Sequence, residues 1–582
     1  MTSRVVRQVV LAGLLALLPA RASAAPWAQT EFQIGGYTYT WNPDTTLLRR
    51  IDAAGIDWIW CWDGGGATHA KAATINARLD ALRRRPGFRL RCLPVVVDPN
   101  TSPGRFSLNN DRAPSLRAID ATLAPGRGIN SPSTMGWGVW DEPCEPSDFA
   151  NIGLIARHID STQSGRLPYV NLFAMYIYEN ARHAFRRGER SCYWTRFGGP
   201  GGAGLSKEAG YEAYVDAYLS QFDRGPRPAP ILSFDHYRFQ VLETFLWNDY
   251  FWNLRILRDK AAEYSRPHHR IPLWLVTQLS PFRTTTARSF PATFSLTNTR
   301  WQIYGALAYG AKGISYWLLT PVFSKGEGDW GPGIFRSNTA SDTVPGRYSQ
   351  VRALNRELHR LGPTLMRLDA VAVFHRDTLD QAGIAGERFG SEARVYDIVA
   401  GFGPGSDSAM VGYLKDRTNG DDYLMVVSKA LRARQSFELT LGRAADSLFR
   451  IDRGTGRAVR LGTRTTRIRL DRLAPGQGEL FRIVDRTPEY IPRVRVTAVA
   501  GDTTWYGHDR GVVMVVGSTG RRTYHRAAAP VVDLAVTATH VYAVHASRSV
   551  VRMNRDLSIP SPFRGALPAT RAGTTYAAGG AR

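Results

Sequence analysis

Between residues 31 and 362, short apolar runs alternate with segments that repeat apolar residues at the helical period. In the last of these helical segments the apolar positions are Val351, Leu354, Leu358 and Leu361. The eight apolar runs are Phe32 to Tyr37, Ile56 to Trp62, Phe88 to Val97, Gly136 to Trp140, Leu167 to Phe173, Ile231 to Tyr237, Pro272 to Gln278 and Gly313 to Leu318. Eight strands that alternate with helices predict an α/β fold in which a parallel sheet closes into a (β/α)8 TIM barrel.

The pattern changes after Gly362 and Pro363, where short strands with period-two alternation begin. Phe437, Leu439 and Leu441 show this alternation, and no long helical pattern interrupts it before residue 486. Residues 363–486 are therefore predicted to form an all-β sandwich domain behind the barrel.

A weak repeat follows in residues 490–560. Four residues recur 37 positions later, with Val499, Trp505, His508 and Val513 matched by Val536, Tyr542, His545 and Val550. Because this period is the size of a propeller blade, a short β-rich, blade-like region is expected. The Ala/Gly/Thr-rich residues 566–582 are expected to be a disordered tail.

The amino-terminal residues have the order of a secretory signal. Arg4 and Arg7 precede an apolar run from Val9 to Leu18, and Ala22-Ser23-Ala24 then supplies a cleavage site. The run is much shorter than the roughly 20 residues that a membrane-spanning helix needs. Residues 1–24 therefore predict a cleaved signal peptide and a secreted or periplasmic protein without a transmembrane segment.

The formal net charge is +24, and only seven of the 74 basic residues are lysine. An acidic polysaccharide is one partner that such a charge would suit. A bias toward arginine codons explains the same charge without any partner, because the arginines are spread along the whole chain. No nucleic-acid-binding motif accompanies them, so no nucleic-acid partner is expected.

The cysteines and histidines show no metal-ligand spacing, so neither a metal nor a cofactor is expected. Cys144 and Cys192 fall in loops after neighbouring predicted strands and are candidates for a disulfide in an exported protein. Cys61 and Cys92 lie inside apolar strand runs, where buried free thiols are expected.

Polar residues end seven of the eight apolar runs, and the active site of a TIM barrel lies at the carboxyl ends of its strands. These candidates are Asp63, Asp98, Asp141, Glu142, Asn171, Asp235, His236, Tyr237, Gln278 and Tyr316. Tryptophans at the same ends offer flat apolar faces to sugar rings. They are Trp62, Trp140 and Trp317, with Trp330 in the glycine-rich loop Gly326 to Gly333, which could lie over the site.

The segment Trp140-Asp141-Glu142-Pro143 places two adjacent carboxylates where proline stops an apolar strand. Hydrolysis of a glycosidic bond needs one carboxylic acid to protonate the leaving oxygen and usually a second carboxylate as nucleophile or base. Capping of the following helix is the alternative role for these residues. The position favours Glu142 as a catalytic acid.

Several segments together resemble the barrel glycosidases of clan A, in particular the β-galactosidase and agarase group. The segments are Trp140 to Pro143, Ile231 to Tyr237, Trp274 to Gln278 and Arg300 to Trp317, and the resemblance covers residues 31–362. It implies a glycoside hydrolase with Glu142 as acid/base on strand four. It also extends to the sandwich, which is similar to the small domain that commonly follows such barrels.

The chain departs from this family at two positions. Asp141 replaces the asparagine that usually precedes the acid/base, and Gln278 stands where the family carries a nucleophilic glutamate on strand seven. A neutral amide cannot form a glycosyl ester, so Asp235 at the end of strand six is the candidate partner. We expect Asp235 to be the ionised member of the pair and Glu142 to have the raised pKa. Asp63, Asp98, Glu327 and Asp329 are fallback partners.

Two other functions stay open. A barrel that has lost its nucleophile could be a non-catalytic carbohydrate-binding protein, and the repeat region could serve as an envelope scaffold. Substrate, linkage, stereochemical outcome and oligomeric state do not follow from the sequence, and neither does the role of the repeat region.

Overall fold

The computed structural model describes residues 26–38, 43–61, 69–96, 119–121, 123–124, 129–143, 146–163, 165–175, 207–223, 228–237, 239, 249–266, 269–283, 294–324, 328–337, 342–376, 398–405, 408–484, 494–501, 503–508, 511–516, 522–526, 531–545, 548–555, 557, 561–562 and 574–576. The predicted signal peptide lies outside these residues, and so do Trp62, Asp63, Asp98, Cys144, Cys192 and Glu327.

Eight parallel strands form one sheet in the first half of the chain. They are β1 (Gln33–Tyr37), β2 (Trp58–Trp60), β3 (Arg91–Leu93), β4 (Gly136–Asp141), β5 (Leu167–Leu172), β6 (Leu232–His236), β7 (Leu273–Gln278) and, after the two-residue β8 (Phe282–Arg283), β9 (Gly313–Trp317). The order across the sheet is β3-β2-β1-β9-β7-β6-β5-β4. Backbone hydrogen bonds from Met135 to Cys92 and from Gly138 to Pro94, both 2.8 Å, join the outer strands and close the barrel. The predicted TIM barrel is confirmed.

Helices surround this sheet, with their apolar sides against the strands. They are α1 (Thr45–Ala53), α2 (His69–Arg83), α3 (Pro146–Thr162), α4 (Lys207–Leu219), α5 (Tyr250–Tyr264), α6 (Leu296–Ala308) and α7 (Arg347–Leu365). The last helix continues through Pro363, past the predicted domain boundary, because Leu361 and Leu365 are both buried on its inner side. None of the helices in the described ranges is long and apolar enough to cross a membrane.

Large aromatic side chains fill the inside of the barrel. The rings of Trp58 and Trp274 stack with centroids 5.8 Å apart, and Tyr169 lies 5.5 Å from Trp58. Gly35 makes room for them, since a Cβ at that position would lie 2.2 Å from the Trp58 ring. The interior is therefore a packed core that supports the side chains at the barrel mouth.

The sulfur atoms of Cys61 and Cys92 are bonded to each other. The prediction that these two residues are free buried thiols is wrong. Cys61 directly follows β2 and Cys92 lies in the neighbouring β3, with their Cα atoms 5.7 Å apart, within the usual range for a disulfide. The predicted pair Cys144 and Cys192 lies outside the described residues.

Two antiparallel sheets follow the barrel and form the predicted sandwich. One has the order β12 (Leu368–His375), β14 (Ala409–Asp416), β15 (Asp422–Ser428), β20 (Gly478–Val484), β17 (Ser447–Ile451) and β18 (Ala458–Gly462). The other has the order β13 (Val399–Phe402), β16 (Gln435–Ala445) and β19 (Thr465–Leu473). The first sheet packs on α6, where a Cβ at Gly412 would lie 2.3 Å from the Ala308 carbonyl oxygen.

The remaining strands form two antiparallel meanders. The first contains β21 (Val494–Ala500), β22 (Thr503–His508), β23 (Gly511–Val516) and β24 (Arg522–Arg526), and the second contains β25 (Val531–Val536), β26 (His540–His545), β27 (Val550–Asn554) and β28 (Ser561–Pro562). Strands β25 and β26 begin 37 residues after β21 and β22, so the repeat in sequence is a repeat of strands. These meanders are the β-rich repeat region of the predicted fold.

A final strand, β29 (Thr574–Tyr576), pairs with β21 and places Tyr576 beside Val496. The expectation of a disordered tail from residue 566 is therefore wrong for these three residues. Threonine and tyrosine favour strands, and β21 offers them a free edge.

Candidate active site at the barrel mouth

The fourth barrel strand ends in two adjacent carboxylates. Glu142 leaves β4 with a φ of 50°, a left-handed conformation that costs a non-glycine residue about 1–3 kcal/mol. Its backbone N–H donates to the Asn171 carbonyl at 2.8 Å, which holds this turn against β5. Asp141 and Glu142 are both partly exposed, so the turn presents two carboxylates side by side.

Asp235 lies deeper in the barrel, at the inward-facing position near the end of β6, and is 2% exposed. Burial raises the pKa of Asp235 to about 6, while hydrogen bonds with the side chains of Glu142, Tyr237 and Asn171 oppose the rise. Its Oδ1 atom has no hydrogen-bond partner among the residues that the structure describes. Carboxyl groups from β4 and β6 thus interact directly, and the Oδ1 atom of the buried Asp235 is shielded from solvent.

The structure changes the expected proton distribution in this pair. The sequence led us to expect an ionised Asp235, but burial favours the protonated form of this group at mildly acidic pH. A hydrogen bond between two carboxyl groups also requires a proton on one of them. The two residues therefore titrate as a pair that holds one proton over part of the pH range.

Asn171, near the end of β5, connects the two carboxylate strands. Its amide nitrogen donates to Asp141 Oδ1 at 3.2 Å, and its amide oxygen accepts from Ser233 Oγ at 3.4 Å. Asn171 is 2% exposed, so this side chain is held in one orientation beneath the carboxylates.

Tyr37, the last residue of β1, belongs to the site although the sequence candidates did not include it. Its hydroxyl lies 3.2 Å from that of Tyr169. Burial raises the pKa of Tyr37 well above its usual range, and the nearby Tyr169, Asp141 and Asp235 raise it further, so the phenol stays a neutral donor. Its place at the end of a barrel strand is a signal that could have identified it.

Aromatic rings form one wall of the mouth. Trp317 at the end of β9 is partly exposed, and its ring lies 5.2 Å from Tyr37 and 5.8 Å from both Tyr237 and Trp330. Tyr237 and Trp330 are 5.0 Å apart. Trp317 is the partly exposed ring of this cluster and can offer a flat apolar face to a sugar, while Tyr237 and Trp330, each 8% exposed, support it from behind.

Trp330 reaches this wall from a small sheet and not from an irregular loop. Strands β8, β10 (Val322–Ser324) and β11 (Gly328–Trp330) pair antiparallel, and Arg283 on β8 binds Asp329 on β11 at 2.7 Å. Of the predicted loop, the structure describes residues 328–333, and the first three of these form strand β11. Asp329, a fallback partner, is paired with Arg283.

His236 and Tyr316 do not lie in the mouth, contrary to the expectation that they bind substrate. His236 Nε2 lies 2.8 Å from Asp249, at the start of α5, and Tyr316 donates to Asn355 on α7 at 2.6 Å. The alternation of strand side chains explains both placements, because Asp235 and Trp317 face inward and their neighbours in sequence must face the helices.

Gln278 and Trp140 are predicted site residues that present little surface to a ligand. The Gln278 amide is fully buried, donates to the Ser280 carbonyl at 3.1 Å and accepts from the Phe239 N–H at 3.0 Å. Trp140 is 5% exposed and belongs to the barrel core. Among the described residues, no three His, Cys, Asp or Glu side chains are grouped as a metal site would require.

No family model matches the chain, and no curated protein matches it in sequence. Solved structures similar to it include a GH42 β-galactosidase from G. stearothermophilus, with a TM-score of 0.41, 10% identity and coverage of 79% of this chain and 99% of that one. A β-galactosidase from Bacillus circulans sp. alkalophilus has a TM-score of 0.39 and 11% identity, with coverage of 78% of this chain and 99% of that one. A GH30 endoxylanase from Clostridium papyrosolvens C71 has a TM-score of 0.35 and 10% identity, with coverage of 80% of this chain and 98% of that one.

Proposed function

We propose that the chain is a secreted glycoside hydrolase that cleaves O-glycosidic bonds of a polysaccharide or oligosaccharide, with Glu142 and Asp235 as its catalytic carboxyl groups. The observation that carries the proposal is the contact between these two groups at the mouth of a closed barrel. Export through the signal peptide at residues 1–24 would bring the enzyme to its substrate.

The positions of the two groups suit different roles. Glu142 is partly exposed, where a leaving group would enter, whereas Asp235 is buried beneath it. Burial favours the one proton of the pair on Asp235 in the free protein, and in the proposed reaction this proton passes to Glu142 when the sugar binds. Glu142 then donates it to the glycosidic oxygen as the bond from that oxygen to the anomeric carbon breaks. Ionised Asp235 attacks this carbon, and Glu142 then takes a proton from the water that releases the sugar.

The closeness of the pair favours retention of configuration. Inverting enzymes hold their carboxyl groups roughly 6.5–9.5 Å apart to accommodate a water molecule, and retaining enzymes hold them at about 5–5.5 Å. The side chains of Glu142 and Asp235 interact directly, so they lie closer together than an inverting pair. Entry of a sugar between Glu142 and Asp235 would separate them toward the retaining distance.

Other side chains at the mouth would hold the sugar during this reaction. Asp141 can accept a hydrogen bond from a hydroxyl group, and neutral Tyr37 can donate one. Trp317 supplies a stacking surface. The Oδ1 of Asp235, which is buried in the free protein, would face the reacting carbon once a sugar separates Asp235 from Glu142.

A non-catalytic carbohydrate-binding protein is the second candidate function. The observation that favours it is the neutral, fully buried Gln278 on β7, whose amide already bonds to the backbone. A barrel that relies on a β7 nucleophile would be inactive with this residue.

A substrate panel distinguishes the two functions. The purified protein is incubated with plant, algal and bacterial polysaccharides, and new reducing ends and the anomer of the product are followed by NMR. An enzyme releases reducing ends, and Glu142→Gln abolishes turnover but keeps binding, while Glu438→Gln on the sandwich changes neither. Binding without release by the unmodified protein would contradict the proposal.

A further inference from the structure

A cavity of about 360 Å³ opens at the end of the barrel opposite the mouth. It is lined by Leu273 and Lys312, at the starts of β7 and β9, and by residues of α5, β12 and the loop after β14. The carboxyl ends of β7 and β9 form the mouth, so the cavity is separated from the proposed active site by the length of the barrel. Its volume lies within the range of small-molecule sites, about 300–1,000 Å³.

Positive charge dominates the lining of the cavity. Arg258, Arg270, Lys312 and Arg417 all line it, while Asp369 is the one carboxylate among the described lining residues. Asp369 forms ion pairs with two of these arginines, because Arg417 lies 3.0 Å from its Oδ1 and Arg270 lies 3.6 Å from its Oδ2. Arg258 is paired with Asp259 at 2.8 Å, so the excess of positive charge comes from Lys312 and from the two arginines that share Asp369.

Lys312 is a buried amine whose positive charge a bound anion would favour. It is 8% exposed, and its Nζ donates to the backbone carbonyls of Leu365 and Leu368, neither of which carries a full negative charge. Burial lowers the pKa of Lys312 to about 7, Asp369 opposes the change, and the Arg417 charge favours it. A buried ammonium is costly to keep, and an additional anion beside it would offset that cost.

The remaining lining is aromatic and polar. Trp27 lines the cavity and packs edge-on against Trp274, with centroids 6.2 Å apart, and the Tyr309 ring lies 5.5 Å from the Arg258 guanidinium carbon. His269 contributes an imidazole that can hydrogen-bond to hydroxyls, while the Ser265 hydroxyl already donates to the Ala261 carbonyl and accepts from the Ile271 N–H. An aromatic surface, a hydroxyl-binding imidazole and excess positive charge together match a sugar ring that carries a carboxylate.

We propose that this cavity is a second, non-catalytic binding site for a small sugar acid, with the carboxylate beside Lys312 and Arg417 and the sugar ring against Trp27. The site does not depend on the hydrolysis proposed for the mouth. It gives the chain a way to bind an acidic sugar at one end of the barrel while the other end stays accessible.

Isothermal titration calorimetry on the full chain tests this site with D-glucuronate as the probe. D-Glucose serves as the neutral sugar and acetate as the carboxylate without a sugar. We expect D-glucuronate to bind at least about tenfold more tightly than either. Equal binding of acetate would overturn the assignment to a sugar acid, and equal binding of D-glucose would overturn the role of the charges.

Variants place the binding in this cavity. Lys312→Met keeps the side-chain length without the charge, and Arg417→Gln removes a second charge, so each should weaken D-glucuronate binding about tenfold or more. Ala262→Phe fills the cavity and keeps every charge, and it should abolish binding. Arg469→Gln, on the exposed face of the sandwich, should leave binding unchanged. Undiminished binding by folded Ala262→Phe would contradict the proposal.

Discussion

The buried carboxyl group of Asp235 shares a hydrogen bond with the partly exposed carboxyl group of Glu142. The two residues are 93 positions apart in the sequence and meet because β4 and β6 end at the same rim of the barrel. The left-handed turn at Glu142 directs this residue away from the regular strand alternation. Packed aromatic side chains fill the barrel below this rim and support Glu142 and Asp235 from beneath.

The pH dependence of activity follows from the shared proton. Burial raises the pKa of Asp235 to about 6, so the pair loses its last proton as the pH passes through this value. Without that proton no acid is present, and kcat/KM should fall about tenfold per pH unit above the break. A profile measured between about pH 4 and 8 checks this. An activity that stays level across about pH 6 would show that the pair does not supply the acid.

The burial of Asp235 also lowers the free energy of unfolding of the protein when this carboxyl group is ionised. A pKa raised in the folded state means that the folded protein binds the proton more tightly than the unfolded chain, so stability is lost as the pH rises from about 4 to about 6. Asp235→Asn should therefore increase the free energy of unfolding of the barrel by up to about 3 kcal/mol at pH 7 while it abolishes turnover.

Denaturation by urea at about pH 4 and about pH 7 measures this effect. The gain from Asp235→Asn should largely disappear at the lower pH, where the native carboxyl is already protonated. A loss of stability at neutral pH would mean that the carboxylate is stabilised by its neighbours and not penalised by burial.

The barrel itself was predictable from the sequence because its parallel strands are largely apolar on both sides and, in the described residues, seven of the eight are followed by a helix. The same feature hides which side chains face inward. A strand that is apolar throughout gives no indication of its alternation, and an error of one residue reverses every side chain. His236 and Tyr316 were placed in the mouth for this reason, one position away from Asp235 and Trp317.

Contacts between residues far apart in the sequence were the other feature that could not be predicted. Glu142 was identifiable from Trp140-Asp141-Glu142-Pro143 alone, and Asp235 from its strand end, but their contact depends on strand order and depth. The disulfide between Cys61 and Cys92 was missed because apolar surroundings suggested buried thiols. The strand at Thr574–Tyr576 was missed because its composition resembles a flexible tail while β21 supplies its partner.

The aromatic wall should affect substrate binding more than chemistry. The ring of Trp330 packs against the rings of Tyr237 and Trp317. Among the hydrogen bonds described, none joins Trp330 to Glu142 or Asp235. Trp330→Ala should raise KM about tenfold and change kcat less, because it removes the ring that supports the partly exposed Trp317, on which the sugar would stack. Phe323→Ala on the same small sheet is the matched control, because Phe323 is 66% exposed and should leave KM unchanged. Equal effects of both variants would indicate that only the small sheet matters.

Gln278 should be structural. Gln278→Glu removes the N–H that donates to Ser280 and introduces a charge at a fully buried position, so it should destabilise the barrel by about 1–3 kcal/mol without raising turnover. Gln278→Met removes both side-chain hydrogen bonds of Gln278 without adding a charge, so it measures their loss separately from the effect of the charge. An increase in kcat for Gln278→Glu would place a nucleophile on β7 and contradict the role given to Asp235.

The most direct test of the central claim is a double-mutant cycle on Glu142 and Asp235 with one hydrolysed polysaccharide. Release of reducing ends is measured for the unmodified protein, Glu142→Gln, Asp235→Asn and the double variant. If the two groups act as one catalytic unit, each single variant loses at least about 10³-fold in kcat and the double variant loses little more. Turnover that survives either single substitution, or losses that multiply in the double variant, would contradict the claim that these two carboxyl groups perform the reaction together.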